Sequence, residues 1–259
     1  MFETLGKRLR AYAEVPGRGY PDWAVRYVPI VRRLGSRLPD ATHTPDAKRI
    51  LEIGANENGL QRFTGVPVIA VDIALDHLKA ARATQDVTPV VGSITALPFC
   101  DNYFEICACV ETMEHIPQTD RETAVNEIAR VLAPSGTAIA TFPSGESATR
   151  AEKDISEEYR RYTGNAIRWL EEHSEDQLPA PDQMAGYFQT ALGKTHQVTV
   201  AKNANLRVWR WMWRVMMCGW PGRGNAVFQA LLRIITPLLC RCHCGACYRS
   251  IIWVEPGDR

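Results

Sequence analysis

The sequence predicts an α/β fold in which a mostly parallel β-sheet is covered by helices on both faces. From Arg49 onward, short runs rich in β-branched and other apolar residues alternate with segments of helical periodicity. These runs are apolar along almost their whole length, as are strands buried on both faces of a parallel sheet. The 259 residues, 46% hydrophobic and 23% charged, suffice for a sizeable core and exclude a disordered, collagen-like or coiled-coil chain.

The first predicted element is an amphipathic helix ahead of the sheet. From Trp23 to Leu34, apolar residues recur at helical spacing and arginines lie on or beside the other faces. The segment LPDATHTPDAK follows, and its prolines, aspartates and threonines are typical of a linker. We therefore expect an N-terminal helical cap at residues 1–47 and one larger domain at residues 48–259.

The strands and helices of the sheet follow in order. Strands are predicted at residues 49–54, 67–73, 87–94, 103–111, 136–143, 196–202 and 249–255. Helices are predicted at residues 75–83 and 119–133, with a charged helical region at residues 151–177. Ligands of parallel sheets bind beyond the carboxyl ends of the strands, so the functional residues are expected directly after them.

The ends of the first two strands suit a nucleoside. The segment LEIGANENG, residues 51–59, predicts a tight turn with exposed backbone amides, and the second strand ends in Asp72, whose carboxylate can accept hydrogen bonds from ribose. By itself this pair of features is a weak signal. GANENG is also a poor dinucleotide fingerprint, because it lacks the glycine at which pyrophosphate would meet a helix N-terminus.

Further motifs follow in a fixed order: GSI, LPF, NYFEI, ETMEHI and EIARVLAPSG, at residues 92–94, 97–99, 102–106, 111–116 and 127–136. Together with LEIGANENG and VDI, they resemble the class I S-adenosylmethionine (SAM) dependent methyltransferases, in particular the methyltransferase type 11 domain group, over residues 48–145. The resemblance implies a Rossmann-like sheet of seven strands, mostly parallel, with the last strand antiparallel between the fifth and the sixth. It also implies SAM as the cofactor.

The resemblance assigns cofactor contacts to residues at the ends of the first four strands. They are Glu52, Gly54, Ala55, Asn56, Asp72, Ile73, Ser93, Ile94, Val110 and Glu111. The first four would contact the amino acid part of SAM, Asp72 the ribose hydroxyls, the next three the adenine, and the last two the methionine moiety. Asn56 and Asn58 replace glycines of the family pattern. Because asparagine tolerates a left-handed backbone, we expect the turn to persist and the affinity for SAM to be affected more than the fold.

His115 and Glu111 are the candidate catalytic residues. Methyl transfer from a sulfonium requires alignment of donor and acceptor, and a hydroxyl acceptor also needs a base. His115 lies one predicted helical turn after Glu111, and an imidazole that titrates near neutrality suits removal of a hydroxyl proton. The alternatives are a His115 that caps or packs the helix start, and a Glu111 that either binds the SAM amino group or lies exposed at a helix N-terminus.

The charged region after the fifth strand holds the candidate substrate-binding residues, Tyr159, Arg160, Arg161 and Tyr162. By resemblance, acceptor-recognising residues are expected in this part of the chain. The tyrosines could stack on a sugar ring, and the arginines could meet hydroxyls or phosphate. A solvated helix is the alternative.

Residues 203–248 are predicted to form an insertion between the last two strands, on the active-site side of the sheet. The chain from Lys202 onward carries nine Lys/Arg against two Asp/Glu and five of the seven tryptophans, whereas the first 201 residues carry 21 Lys/Arg against 27 Asp/Glu. We hypothesise that Leu206–Trp220 and the apolar helix Ala226–Leu239 roof the acceptor pocket or contact a membrane surface. The alternative for the first segment is a core helix rimmed by arginines.

The sequence shows no secretory signal, spanning segment or nucleic-acid module. We therefore expect a cytoplasmic protein without nucleic-acid partners, with peripheral contact at the inner face of the membrane through residues 206–240 as an option. The eight cysteines are expected to be reduced thiols. The run CRCHCGAC at residues 240–247 is a poor match to zinc-ligand spacing, so no metal is expected.

The function predicted from the sequence is SAM-dependent O-methylation of a sugar, a polysaccharide or a lipid-linked glycan. The aromatic and basic cap and the base offered by His115 favour this acceptor class. The alternatives are a lipid, quinone or small-metabolite acceptor, and a catalytically silent scaffold that keeps the fold. The sequence does not predict the oligomeric state.

Overall fold

The computed structural model describes residues 20–38, 49–55, 57–84, 86–167, 170–171, 173, 177–215 and 234–257. Within these residues, seven strands form one sheet in the order β3-β2-β1-β4-β5-β7-β6. The strands are β1 Ile50–Ile53, β2 Val68–Asp72, β3 Val87–Val91, β4 Phe104–Val110, β5 Leu132–Pro143, β6 His196–Asn205 and β7 Cys247–Pro256. The first five pair in parallel, and β7 is antiparallel to both β5 and β6. The predicted fold class is therefore confirmed.

Helices cover both faces of this sheet. They are α1 Tyr20–Leu34, α2 Leu60–Thr64, α3 Leu75–Thr84, α4 Arg121–Val131, α5 Glu146–Thr163, α6 Pro181–Leu192 and α7 Leu206–Trp213. Helices α1, α2, α3, α5 and α7 share one apolar cluster with strand residues such as Ile50 and Val68. Helices α4 and α6 pack with Leu51 and Ile53 in a second cluster. Successive residues of β1 thus enter opposite layers, as the alternation of side chains along a strand requires.

The N-terminal helix packs on the sheet. Ala24, Tyr27 and Ile30 of α1 are fully buried, and the Tyr27 ring stacks on Phe63 with ring centroids 5.0 Å apart. The helical prediction for this segment is confirmed over the described residues. The predicted linker lies largely outside them, as do residues 1–19.

Two predicted elements have boundaries that move by four or more residues. Strand β5 begins at Leu132, four residues earlier than expected, because Leu132 pairs with Phe104 across a register shift in the β4–β5 ladder. The charged helix ends at Thr163, well before residue 177. Gly164 adopts a φ of 74° there and its N–H donates to the Arg160 carbonyl, a glycine C-cap that terminates α5.

The chain leaves the sheet at the carboxyl end of β6, where Asn205 pairs with Cys247, so the strands extend into both ends of the range 203–248 predicted for the insertion. Its first segment forms α7, which buries Trp209 and Trp213 against the core. Trp209 stacks on Tyr248 with ring centroids 3.8 Å apart.

Two arginines, one on α7 and one directly after it, have acidic partners on α5. Arg210 pairs with Asp154, and the Arg214 guanidinium donates to Glu158. The described part of the insertion therefore has the arrangement of an arginine-rimmed core helix. Residues 216–233, which include most of the second predicted segment, lie outside the described residues. Contact with a membrane surface stays a prediction, and among the described residues no helix has the length and apolar character needed to cross a bilayer.

Candidate functional site

A cavity of about 770 Å³ opens at the carboxyl ends of the parallel strands. Its lining comes from the segments that follow β1 to β4, from α1, and from two residues distant in sequence, His173 and Trp213. Nine of the predicted site residues line it: Gly54, Ala55, Asp72, Ile73, Ser93, Ile94, Val110, Glu111 and His115. Cavities of several hundred Å³ hold cofactors and drug-sized ligands, so this one has room for a nucleoside cofactor and an acceptor together.

The turn after β1 requires glycine. Gly54 has a φ of 84°, and its N–H donates to the Val71 carbonyl at 2.9 Å. A Cβ atom at this position would lie 2.0 Å from Thr112 Oγ1, so the loops after β1 and β4 approach each other more closely than a side chain allows. Asn56 lies outside the described residues. Asn58 is buried and has no positive φ, so its backbone does not use the left-handed conformation that asparagine tolerates.

Glu52 does not line the cavity, in contrast to its predicted contact with SAM. Its carboxylate is 2% exposed and accepts hydrogen bonds from the Leu60 N–H at 2.8 Å and the Tyr27 hydroxyl at 2.9 Å. Burial raises the pKa of Glu52 to about 7, although these two hydrogen bonds partly oppose the shift. Glu52 therefore ties α1 and α2 together beneath the turn after β1.

The ends of β2 and β3 form a wall that fits an adenosyl group. The Asp72 carboxylate lines the cavity, where its Oδ1 accepts from the Ala74 N–H at 2.7 Å and its Oδ2 lies 3.4 Å from His77 Nδ1. The neighbouring Ile73 is 75% exposed, an apolar side chain suited to cover an aromatic ring. In the segment after β3, Ser93 Oγ lies 2.8 Å from Thr95 Oγ1. A carboxylate beside an uncovered apolar surface fits the ribose and adenine of SAM.

Replacement of Asp72 by alanine is expected to weaken SAM binding about 10- to 100-fold, because a hydrogen bond to a charged group is worth about 1.5–3 kcal/mol. Titration calorimetry with SAM measures the change. Asp76→Ala is the matched control, since the Asp76 carboxylate on α3 is 91% exposed and lies outside the cavity lining. If the Asp72→Ala variant and the native protein bind SAM with equal affinity, Asp72 does not contribute to cofactor binding.

Glu111 is held in an unusual backbone conformation at the base of the cavity. It has a φ of 53°, which is uncommon for a residue with a side chain and indicates local strain of the kind found at functional sites. Its carboxylate accepts hydrogen bonds from Thr141 Oγ1 at 3.2 Å and from Arg249 Nε at 2.8 Å. Because both oxygens have partners within the chain, binding of the SAM amino group by Glu111 stays a prediction.

Arg249 connects this strand end to the N-terminal helix. Its side chain is fully buried, and its Nη2 donates to Asp22 Oδ1 at 2.8 Å while its Nε donates to Glu111. Arg26 also pairs with Asp22 and lies 3.9 Å from Glu111. Burial by itself would raise the pKa of Asp22, but the charges of Arg249 and Arg26 outweigh it and hold this pKa below its usual value.

His115 lies at the cavity in a different local structure from the one predicted. The left-handed backbone at Glu111 prevents an α-helix from 111 to 115, and a short 3₁₀ turn, Met113–His115, takes its place. The predicted i, i+4 relation is therefore wrong, although both side chains line the same cavity.

A second histidine that sequence reasoning missed lies beside it. The rings of His115 and His173 have centroids 4.9 Å apart. His173 is 5% exposed, and its Nδ1 lies 2.9 Å from Glu152 Oε1, which also accepts from the Tyr248 hydroxyl at 2.5 Å. A carboxylate at one ring nitrogen fixes the orientation of an imidazole, as it does in catalytic histidines.

Glu114 completes this group. It is 4% exposed and lines the cavity. Burial, and then the negative charge of Glu111, raise the pKa of Glu114 well above its usual value. One carboxylate oxygen of Glu114 and one ring nitrogen each of His115 and His173 lie within 4.8 Å of one another, an arrangement that could hold a metal ion.

The four candidate substrate-binding residues do not line the cavity. Three of them are exposed at the end of α5, where Arg160 pairs with Glu171 at 2.9 Å and Tyr162 is 68% exposed, whereas Tyr159 packs partly buried against the core. This arrangement agrees with the alternative given above, in which the charged segment is a solvated helix that does not bind the acceptor. Contact of these residues with an acceptor stays a prediction.

The cysteines of the described residues are all free thiols: Cys100, Cys107, Cys109, Cys240, Cys242, Cys244 and Cys247. Among the described residues, those of the segment 240–247 do not bring three ligand atoms together.

Comparison with known proteins agrees with this architecture. Residues 51–140 match the family model described as a methyltransferase domain. A demethylmenaquinone methyltransferase from Renibacterium salmoninarum is 28% identical over 109 residues, 40% of this chain, and the chain spans 45% of that protein's length.

Two solved structures share the fold across most of the chain. A protein named as a sarcosine dimethylglycine methyltransferase from Galdieria sulphuraria aligns with a TM-score of 0.54 and 15% identity, covering 92% of this chain and 85% of its own. A SAM-dependent methyltransferase from Archaeoglobus fulgidus aligns with a TM-score of 0.50 and 14% identity, covering 88% and 91%. Residues 51–140 therefore carry the sequence pattern of the methyltransferase domain family, and the chain shares its fold with SAM-dependent methyltransferases of known structure, which supports S-adenosylmethionine as the cofactor.

Proposed function

We propose that this protein transfers the methyl group of SAM to a hydroxyl group, with a sugar, a polysaccharide or a lipid-linked glycan as the favoured acceptor class. The observation that carries the proposal is the pair of imidazoles, His115 and His173, at the cavity beyond the strand ends that fit the cofactor. A hydroxyl is a poor nucleophile until its proton is removed, and histidine is the residue most often used for that task.

The donor side of the cavity is formed by the ends of β1, β2 and β3. Gly54 leaves room for close approach to the backbone, Asp72 offers a carboxylate to the ribose, and Ile73 offers an apolar surface to the adenine. SAM supplies an electrophilic methyl group, whose C–S bond breaks with its electron pair left on sulfur as the acceptor oxygen forms the new C–O bond. The chain positions the two reactants and excludes water around them.

The acceptor side combines His115 with residues outside the family-matched segment. Trp23 and Arg26 of α1 and Trp213 of α7 line it, and the Arg26 guanidinium lies 4.7 Å from the Trp23 ring centroid. Aromatic faces beside a cation suit a polar ring that carries hydroxyl or phosphate groups. This composition supports a glycan acceptor over a wholly apolar one.

The proton of the acceptor hydroxyl passes to His115 in this proposal. His115 is the exposed member of the pair, whereas His173 is buried and held by Glu152. The buried His173 ring packs against the His115 ring and restricts its rotation, which favours one orientation suited to accept the proton.

The experiment is methyl transfer from SAM with a ¹³C-labelled methyl group to a panel of hydroxyl, amine and quinone acceptors. Carbon NMR of the product distinguishes a methyl group bonded to oxygen, nitrogen or carbon. We expect a methoxy signal with sugar or glycan acceptors. Label found on nitrogen or carbon would overturn the proposal, and a ring-carbon product would favour a quinone acceptor, the alternative raised by the name of the 28% identical relative. SAM binding without transfer to any acceptor would favour a silent scaffold.

A further inference from the structure

Glu114, His115 and His173 form a cluster whose three ligand atoms lie within 4.8 Å of one another at the edge of the cavity. Two imidazole nitrogens and one carboxylate oxygen are the ligand set of many catalytic zinc sites and of other divalent transition metals. Metal–ligand distances of about 2.0–2.2 Å place the ligands of one ion about 3–4 Å apart. The distances between the three ligand atoms therefore need to shorten by only about 1 Å for all three to bind one ion.

The burial of Glu114 is a second, independent observation. Its Oε2 atom is buried and has no hydrogen-bond partner among the described residues. A buried carboxylate oxygen without a donor is costly, and such oxygens in native structures call for a partner. A cation bound by this oxygen and the two histidines would supply that partner.

The surroundings of His173 are those of a metal-bound histidine. Its Nδ1 lies 2.9 Å from Glu152 Oε1, and the Tyr248 hydroxyl donates to the same oxygen. Metal-binding histidines commonly donate their second ring N–H to a carboxylate, which sets the tautomer and the orientation of the ring. With Nδ1 bonded to Glu152, Nε2 is the nitrogen that binds the ion.

We propose that Glu114, His115 and His173 bind one divalent transition-metal ion of the zinc type, and that this ion draws the acceptor's hydroxyl oxygen into the cavity. Three protein ligands leave coordination positions open for an exogenous oxygen. The ion lowers the pKa of that hydroxyl. With the ion bound, His115 is a ligand and no longer the base of the proposed function, and the proton of the hydroxyl is released to water. The part that concerns the acceptor rests on the proposed O-methylation, whereas the metal site itself does not.

The test is metal binding by the full chain in the absence of SAM and acceptor. The protein is stripped with a chelator, dialysed, and titrated with Zn²⁺ by calorimetry and with Co²⁺ by absorption spectroscopy. We expect one ion per chain and visible Co²⁺ bands without the near-ultraviolet thiolate bands that cysteine ligands would give. Glu114→Gln and His115→Ala are expected to weaken binding at least tenfold. His243→Ala, within the cysteine-rich segment, is expected to leave the affinity unchanged.

Three outcomes overturn the proposal. They are the absence of stoichiometric binding, affinity retained in both Glu114→Gln and His115→Ala, and thiolate bands together with loss of the ion in His243→Ala. His115 is exposed, so its alanine variant is expected to fold, and titration with SAM verifies the fold of each variant. Label transferred to oxygen by a protein that binds no ion would overturn the metal site and leave the proposed function standing. If the protein binds an ion but methylates nitrogen or carbon, the metal site stands and the proposed function is overturned.

Discussion

Replacement of Arg249 by leucine is expected to lower the free energy of unfolding by about 3–5 kcal/mol. The Arg249 side chain is fully buried and donates to Glu111 at 2.8 Å and to Asp22 at 2.8 Å. Leucine fills part of the volume but leaves two buried carboxylates with Arg26 as their remaining cationic neighbour. Urea unfolding followed by circular dichroism at pH 7 measures the loss. Arg207→Leu, at an exposed position on α7, is the matched control and should change stability by no more than about 0.5 kcal/mol.

This loss should become smaller as the pH falls. In the native protein the pKa of Asp22 is held below its usual value of 3.8, so its ionised form stabilises the fold above that value, and the contribution disappears as the pH falls through the folded-state pKa. Without Arg249 the Asp22 carboxyl takes up a proton at a higher pH, which removes the uncompensated buried charge. A difference in stability between variant and native protein that is equal at pH 7 and near pH 4 would contradict the assigned ion pairs.

Replacement of His115 by alanine is expected to reduce kcat about 10²- to 10⁴-fold, the range found when a positioned acid–base group is removed. SAM affinity should change little, because the residues that fit the cofactor lie at the ends of β1, β2 and β3. The loss is expected whether the imidazole accepts the proton or holds a metal ion, and the Zn²⁺ titration separates the two roles. Single-turnover kinetics with labelled SAM measure the chemical step directly.

His243→Ala serves as the control for the general effect of removing a histidine. His243 lies outside the cavity lining, and its Nδ1 accepts from the Ala204 N–H at 3.4 Å. Its alanine variant should keep the native turnover. Full activity of His115→Ala would show that hydroxyl activation does not depend on this ring.

The sheet and the donor half of the site could be predicted because they depend on local pattern and on one topological rule. Parallel strands bring their carboxyl ends to one edge, so Gly54, Asp72 and Val110 had to meet once the strands were recognised. Glu52 was misplaced because side chains alternate along β1. Leu51 and Ile53 face one layer, and Glu52 faces the other, where Tyr27 covers it.

The acceptor half could not be predicted in the same way. No local sequence pattern predicts a left-handed backbone at a glutamate such as Glu111. The segment that forms a 3₁₀ turn at His115 was therefore predicted to be α-helical. His173 lies in the run EEHSED, whose charge is typical of a solvated surface. It is buried and pairs with Glu152 of α5, which also accepts a hydrogen bond from Tyr248 of β7. Such long-range pairing leaves no trace in local periodicity.

The two walls of the cavity have different origins along the chain. The wall that fits the nucleoside comes from three segments close together in sequence, within residues 53–95. The opposite wall adds α1, α7 and an isolated histidine, which are far apart in sequence, to the segment after β4. Substitutions or length changes in those outlying pieces can therefore reshape substrate preference while leaving donor recognition intact. In a protein built this way, acceptor preference can change in evolution through substitutions in α1 and α7. Mutant libraries confined to Trp23, Arg26 and Trp213 are therefore a small and direct way to alter that preference.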